Sequence, residues 1–121
     1  MNHEGGSVSI VVAALVAMIL VLGLGAADLA KALVAVSRAQ SAADAAALAA
    51  AQELALPSGI EPAVAAAEYA TRNGAELIEC RCAVGTLEAT VQVRVPVGYL
   101  STLGGERTVE ARARAVVDKG A

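Results

Sequence analysis

Residues Ser7–Ala27, SVSIVVAALVAMILVLGLGAA, form an uncharged run that decides how the rest of the chain is read. About 20 apolar residues at roughly 1.5 Å rise cover the hydrocarbon core of a bilayer. Val8, Ile10, Val11, Val12, Leu15, Val16, Met18, Ile19, Leu20, Val21, Leu22 and Leu24 favour insertion by about 5 kcal/mol in all, at roughly −0.3 to −0.6 kcal/mol each. The stretch is therefore expected to be a transmembrane helix.

Toward the N-terminus, the leader MNHEGG carries one His, one Glu and no Lys or Arg. It lacks the basic region of a secretory signal peptide, and the apolar run exceeds the usual signal length. A retained anchor is favoured. Cleavage near the small residues Gly23, Gly25 and Ala26, releasing a soluble domain, is the alternative.

Toward the C-terminus the helical pattern does not stop at Ala27. Asp28, Lys31, Arg38, Gln40, Asp44 and Gln52 are spaced among Ala, Leu and Val, with no Pro or Gly before Pro57-Ser58-Gly59. That triplet reads as a terminator. A helix from Ser7 to Leu56 would be about 75 Å long. Its rear half is rich in Ala, which has the best helix propensity and lets neighbouring backbones approach closely. Asp44, Ala45, Ala46, Leu48 and Ala49 are the candidate helix-packing residues. Buried in that Ala face, Asp44 would need a partner such as Lys31 or Arg38; otherwise it lies on a solvated face. Asp28 closes the apolar run and is expected at the membrane interface, setting helix depth.

The division expected is a leader over 1–6, a transmembrane segment over 7–27, a helical extension over 28–56 and a small α+β domain over 57–121. A second helix is read from Ile60 to Arg72, with a stripe of Ile60, Ala63, Val64, Ala67 and Ala70 or Thr71, stopped by Asn73-Gly74. Three strands follow. Alternation over Leu77–Val84 places Ile78, Cys80, Cys82 and Val84 inward. Over Leu87–Val97 it places Leu87, Ala89, Val91, Val93, Val95 and Val97 inward, and over Thr108–Asp118 it places Val109, Ala111, Ala113, Ala115 and Val117 inward. The outward residues Glu88, Thr90, Gln92 and Arg94, then Glu110, Arg112 and Arg114, suit cross-strand pairing on a one-sided antiparallel sheet. Val84-Gly85-Thr86 reads as a tight hairpin. In the longer connection after Gly98, Tyr99, Leu100 and Leu103 cover the sheet edge or offer a partner contact.

Composition excludes more than it names. The 121 residues are 57% hydrophobic with 2% aromatics and no Trp or Phe, so any core is built from small and β-branched side chains. A net charge of −3 without clustered Lys or Arg argues against nucleic acid as a partner. His3 is the only histidine and sits in a leader read as mobile, so no Ser-His or Cys-His pair is supported. Gly104-Gly105 lacks the residues of a phosphate loop. Cys80 and Cys82 are too few for a four-ligand zinc site and too close for a disulfide framework; they are read as core thiols behaving as small hydrophobes, or as having an intermolecular or redox role. No enzyme, no cofactor and no metal is expected.

Two blocks carry a family resemblance. Gly5-Gly6-Ser7-Val8-Ser9-Ile10-Val11 precedes the apolar helix, and Arg38-Ala39-Gln40-Ser41-Ala42-Ala43-Asp44-Ala45-Ala46-Ala47-Leu48-Ala49-Ala50-Ala51 follows it. With them the chain resembles the TadE/TadG-like proteins of the Flp (Tad) pilus system, small pilin-like membrane proteins of bacteria. Ala67–Gly74 and Val109–Ala115 are similar too.

The resemblance implies a single-pass cell-membrane protein with its N-terminus inside and its C-terminal domain outside, although Lys31 and Arg38 by themselves would place the C-terminal part in the cytoplasm. It implies a prepilin peptidase acting after Gly6 to expose Ser7, and partners among pilin-like subunits or Tad inner-membrane components. Pilins carry a Glu at the fifth mature position, where this chain has Val11, and basic residues before the Gly, which are absent here. These departures suit a minor pilin or pseudopilin-like component, or the TadE-like proteins found beside secretion ATPases in actinobacteria, better than a major pilin. A membrane-tethered binding or assembly factor outside any filament is the rival.

Overall fold

The computed structural model describes residues 2–100 and 104–118, with side chains from residue 6 onward. Leu103 and the side chain of His3, both considered above, lie outside that description. The architecture is α+β: helix α1 (Asn2–Ala55), helix α2 (Pro62–Arg72) and strands β1 (Glu76–Arg81), β2 (Glu88–Tyr99) and β3 (Glu106–Val116).

No break separates leader, apolar run and extension, and the segment read as a mobile leader is helical from Asn2. Every residue from Gly6 to Ala27 is exposed. Beyond that the helix changes character. Ala35, Ala39, Ala42, Ala43, Ala46, Ala47 and Ala50 are buried, at the three- and four-residue steps that bring side chains onto one helix face. The extension is thus the floor of the domain. The helix ends where Pro57 forbids another turn, and Ser58 closes the end by donating from both its backbone N–H and its hydroxyl to the Glu53 carboxylate, at 3.0 and 2.8 Å.

Two sequence expectations are corrected at α2 and β1. The helix begins at Pro62, with Glu61 as an extended N-cap, and buries Pro62, Ala65, Ala66 and Ala70. Of the expected stripe Ala70 is buried and Ala67 half-buried, whereas Ile60, Ala63 and Val64 are exposed. The reason is steric, because α2 lies against an alanine face and the closest approach belongs to the smallest side chains. Gly74 ends α2 with φ +75°, and a β-carbon added there would lie 3.2 Å from Arg38 Cδ. Position 74 therefore needs glycine both for its left-handed backbone and for the room taken by the Arg38 stem.

The sheet has the order β1-β2-β3 with both pairs antiparallel. Along β2 the expected alternation holds, with Ala89, Val91, Val93 and Val95 fully buried against α1, and Val109, Ala111, Ala113 and Ala115 of β3 packed on the same core. On β1 the alternation fails at a bulge. Leu77 pairs with Val93 and Glu79 with Gln92, so Ile78 is the extra residue. Leu77 and Cys80 face the core, whereas Ile78 and Val84 are exposed. The Ala83–Thr86 turn closes the β1–β2 connection as expected, with the Thr86 N–H donating to the Ala83 carbonyl at 3.1 Å and Gly85 at φ +96°.

A core whose largest fully buried side chains are valines has no slack for enlargement. Ala46→Leu is expected to destabilise the domain by about 1–3 kcal/mol through overpacking, lowering the thermal midpoint in detergent. Leu48→Ala, on the exposed face two residues away, should stay within about 0.5 kcal/mol of the parent. Equal effects of the two substitutions would contradict the assigned face.

Candidate functional site

The candidate packing residues of α1 fall on different sides. Ala46 and Ala49 are buried under the domain and Ala45 is half-buried, whereas Asp44 and Leu48 are exposed. Asp44 accepts a hydrogen bond from Gln40 Nε2 at 3.0 Å, one helical turn earlier, so it is solvated and locally satisfied without Lys31 or Arg38. Leu29, Leu33, Val36, Gln40, Asp44 and Leu48 are all exposed at steps of three and four, a stripe facing away from the domain. Gly6 and Ser7, the candidate processing pair, are exposed on the same continuous helix.

What the sequence reading missed lies where the apolar run ends. Asp28 is buried, the first such residue among the described side chains of α1. One turn on, Lys31 Nζ donates to the Tyr99 backbone carbonyl at 3.1 Å, tying the end of β2 to the helix. No local pattern announces a contact between residues so far apart in the chain.

The outer face of the sheet is a ladder of polar pairs, as the outward residues indicated. Arg114 meets Glu88 at 2.7 Å and Arg94 meets Glu110 at 3.4 Å, while Gln92 donates to Glu110 at 2.7 Å and accepts from Arg112 at 3.2 Å. All are solvent-exposed, so each contributes little. Arg81 lies 2.8 Å from Glu79, and its hydrogen bond and charge hold the Glu79 carboxyl below the ordinary carboxylate range and raise Arg81 in turn. The cleft around this pair, about 40 Å³, is too small for an organic substrate.

Cys80 and Cys82 are joined by a disulfide with Cα atoms 5.5 Å apart, which replaces the expectation of core thiols. Residues two apart on a strand project to the same side, and here both sulfurs lie at the core margin where β1 ends. An open groove of about 610 Å³ beside the bridge is lined by Ala63, Thr86, Glu88 and Thr90. It contains no nucleophile paired with a base. Among the described residues no group of His, Cys, Asp and Glu is placed to hold a metal ion.

Residues 6–53 match the family described as putative Flp pilus-assembly TadE/G-like. The resemblance seen in the sequence is borne out over that segment, which joins the apolar run to the alanine-rich extension and supports involvement in Flp pilus assembly. No curated protein and no solved structure matches the chain.

A carboxylate held low by a partner adds stability above its unfolded pKa and loses it as pH falls through the folded value. Glu79 and Arg81 are exposed, so the titration moves without much change in stability. Carbon-detected NMR should find the Glu79 midpoint below the ordinary glutamate value, and Arg81→Gln should raise it. An unchanged midpoint in the variant would contradict the pairing.

Proposed function

We propose that this chain, with a TadE/G-like Flp pilus-assembly segment at 6–53, is a membrane-anchored structural component of a Tad-type pilus or secretion apparatus, in the manner of a minor pilin or pseudopilin. The observation that carries the reading is the coincidence of that segment with two surfaces of one helix. Its front is apolar enough to cross a membrane and is wholly exposed. Its rear buries alanines inward and presents Leu29, Leu33, Val36, Asp44 and Leu48 outward. A front half in lipid and an outward stripe on the rear half is what lateral packing with other helices of an assembly requires.

In this reading the N-terminus is cytoplasmic and the domain lies outside. The Cys80–Cys82 disulfide supports that side, because such bonds persist in oxidising compartments. It opposes the weak bias of Lys31 and Arg38. A prepilin peptidase would act after Gly6, and the partners are other pilin-like subunits or Tad inner-membrane components. Val11, standing where a polymerising pilin carries a carboxylate to meet its neighbour's amine, favours a minor position, and it equally suits an assembly factor that stays in the membrane.

Intact mass of the protein extracted from membranes, with fractionation of sheared surface filaments, tests the reading. The expected result is a mature chain starting at Ser7, lighter by two hydrogens than its reduced form, and present in the filament fraction. Confinement to the membrane fraction would favour the assembly factor. A start near Ala26 would overturn membrane anchoring.

A further inference from the structure

The C-terminal end of β2 lies beside α1 where the uncharged run gives way to charge. Helical side chains tilt toward the helix N-terminus, so Lys31 reaches back toward Asp28 when it donates to the Tyr99 carbonyl at 3.1 Å. The end of β2 therefore lies level with the boundary of the apolar run. Leu100, next along, is buried against the protein, while Tyr99 is 63% exposed. Arg107 is exposed and pairs with Gly98; Glu106 is exposed and pairs with Tyr99.

We propose that the adjoining ends of β2 and β3 are a second membrane contact, in which Tyr99, flanked by Lys31 and Arg107, seats in the phospholipid headgroup layer. The inference rests on the reading that residues 7–27 span the bilayer. An uninterrupted helix then fixes the height of everything docked on it, because no flexible linker intervenes between span and domain. With Ala27 at the edge of the hydrocarbon, Asp28 and Lys31 stand among headgroups, and Tyr99 is held there with them. A phenol ring is suited to that layer, with an apolar body toward the chains and a hydroxyl toward water. The Lys31 ammonium carries three N–H donors, one of which serves the Tyr99 carbonyl, and Arg107 adds a second cation beside the Glu106 carboxylate of β3. The surface continues one already committed to lipid, so its partner is the same bilayer.

The chain has no Trp, which makes single-Trp variants clean reporters. The full protein would be reconstituted in phosphatidylcholine–phosphatidylglycerol vesicles carrying nitroxide lipids labelled near the headgroup or deep in the acyl chain. Val16→Trp reports the span. Val84→Trp, exposed at a cleft shared with Leu54 and Pro57 roughly 40 Å along the helix from Asp28, reports the far end. Tyr99→Trp and Arg107→Trp report the adjoining strand ends, and both positions are exposed enough to accept the ring.

The expected result is blue-shifted emission from Tyr99→Trp, with emission lost to the shallow label more than to the deep one. Arg107→Trp should behave similarly, Val84→Trp should be unquenched, and Val16→Trp should be quenched by the deep label. Quenching of Val16→Trp with water-like, unquenched emission from both strand-end variants would overturn the proposal while leaving the anchor intact. Absence of quenching at Val16→Trp as well would overturn the anchor and the strand-end contact together.

Discussion

The structure depends on close approach at one alanine face. Ala39, Ala42, Ala43, Ala46 and Ala50 of α1 have no exposed surface, and against them lie the alanines of α2 and the inner valines of β2. Side chains this small bury little area each, so the stabilisation comes from density: backbones drawn near enough for many weak contacts to accumulate. Larger residues are displaced from this seam, which is why Ile60 and Val64 look outward and why the fully buried side chains of the sheet stop at valine.

From that seam follows an unusual division of labour along one helix. The half whose described side chains are exposed from Gly6 to Ala27 is the half suited to lipid, and the other half is the floor of the domain. The domain is therefore mounted on the apolar helix without an intervening hinge. In the proposed membrane-anchored state, height above the membrane, orientation of the sheet and presentation of the outward stripe through Leu29, Leu33, Asp44 and Leu48 are set by the same rod. For a part in a helical assembly, such rigidity turns packing between rods into a defined placement of domains.

Much of this was legible in the chain before the structure. The continuity of α1 could be read from the absence of Pro and Gly between Asp28 and Pro57, and the inner face of β2 from strict alternation of Val with polar residues. Three features were not legible, each for a physical reason. The phase of α2 was lost because a helix nearly all alanine offers little contrast between faces, and size rather than polarity chose the buried side. The inward set of β1 held at Cys80 and Cys82 but failed at Ile78, because Ile78 is an inserted residue and a bulge shifts period-two alternation without any mark in composition. The tie from Lys31 to Tyr99 and the burial of Asp28 arise from tertiary contact alone. At the candidate site the small residues were recognised, but the sequence could not say that Ala46 and Ala49 are consumed within the chain while Asp44 and Leu48 remain outside.

The claim that the rear of α1 is the core of the domain can be tested by cutting the chain. The fragment 28–121, retaining the alanine face, is predicted to give a dispersed amide NMR spectrum and β-sheet exchange protection. The fragment 57–121, which keeps α2 and all three strands but loses that face, is predicted to give the collapsed spectrum of an unfolded chain. A well-dispersed, protected sheet in 57–121 would contradict the account.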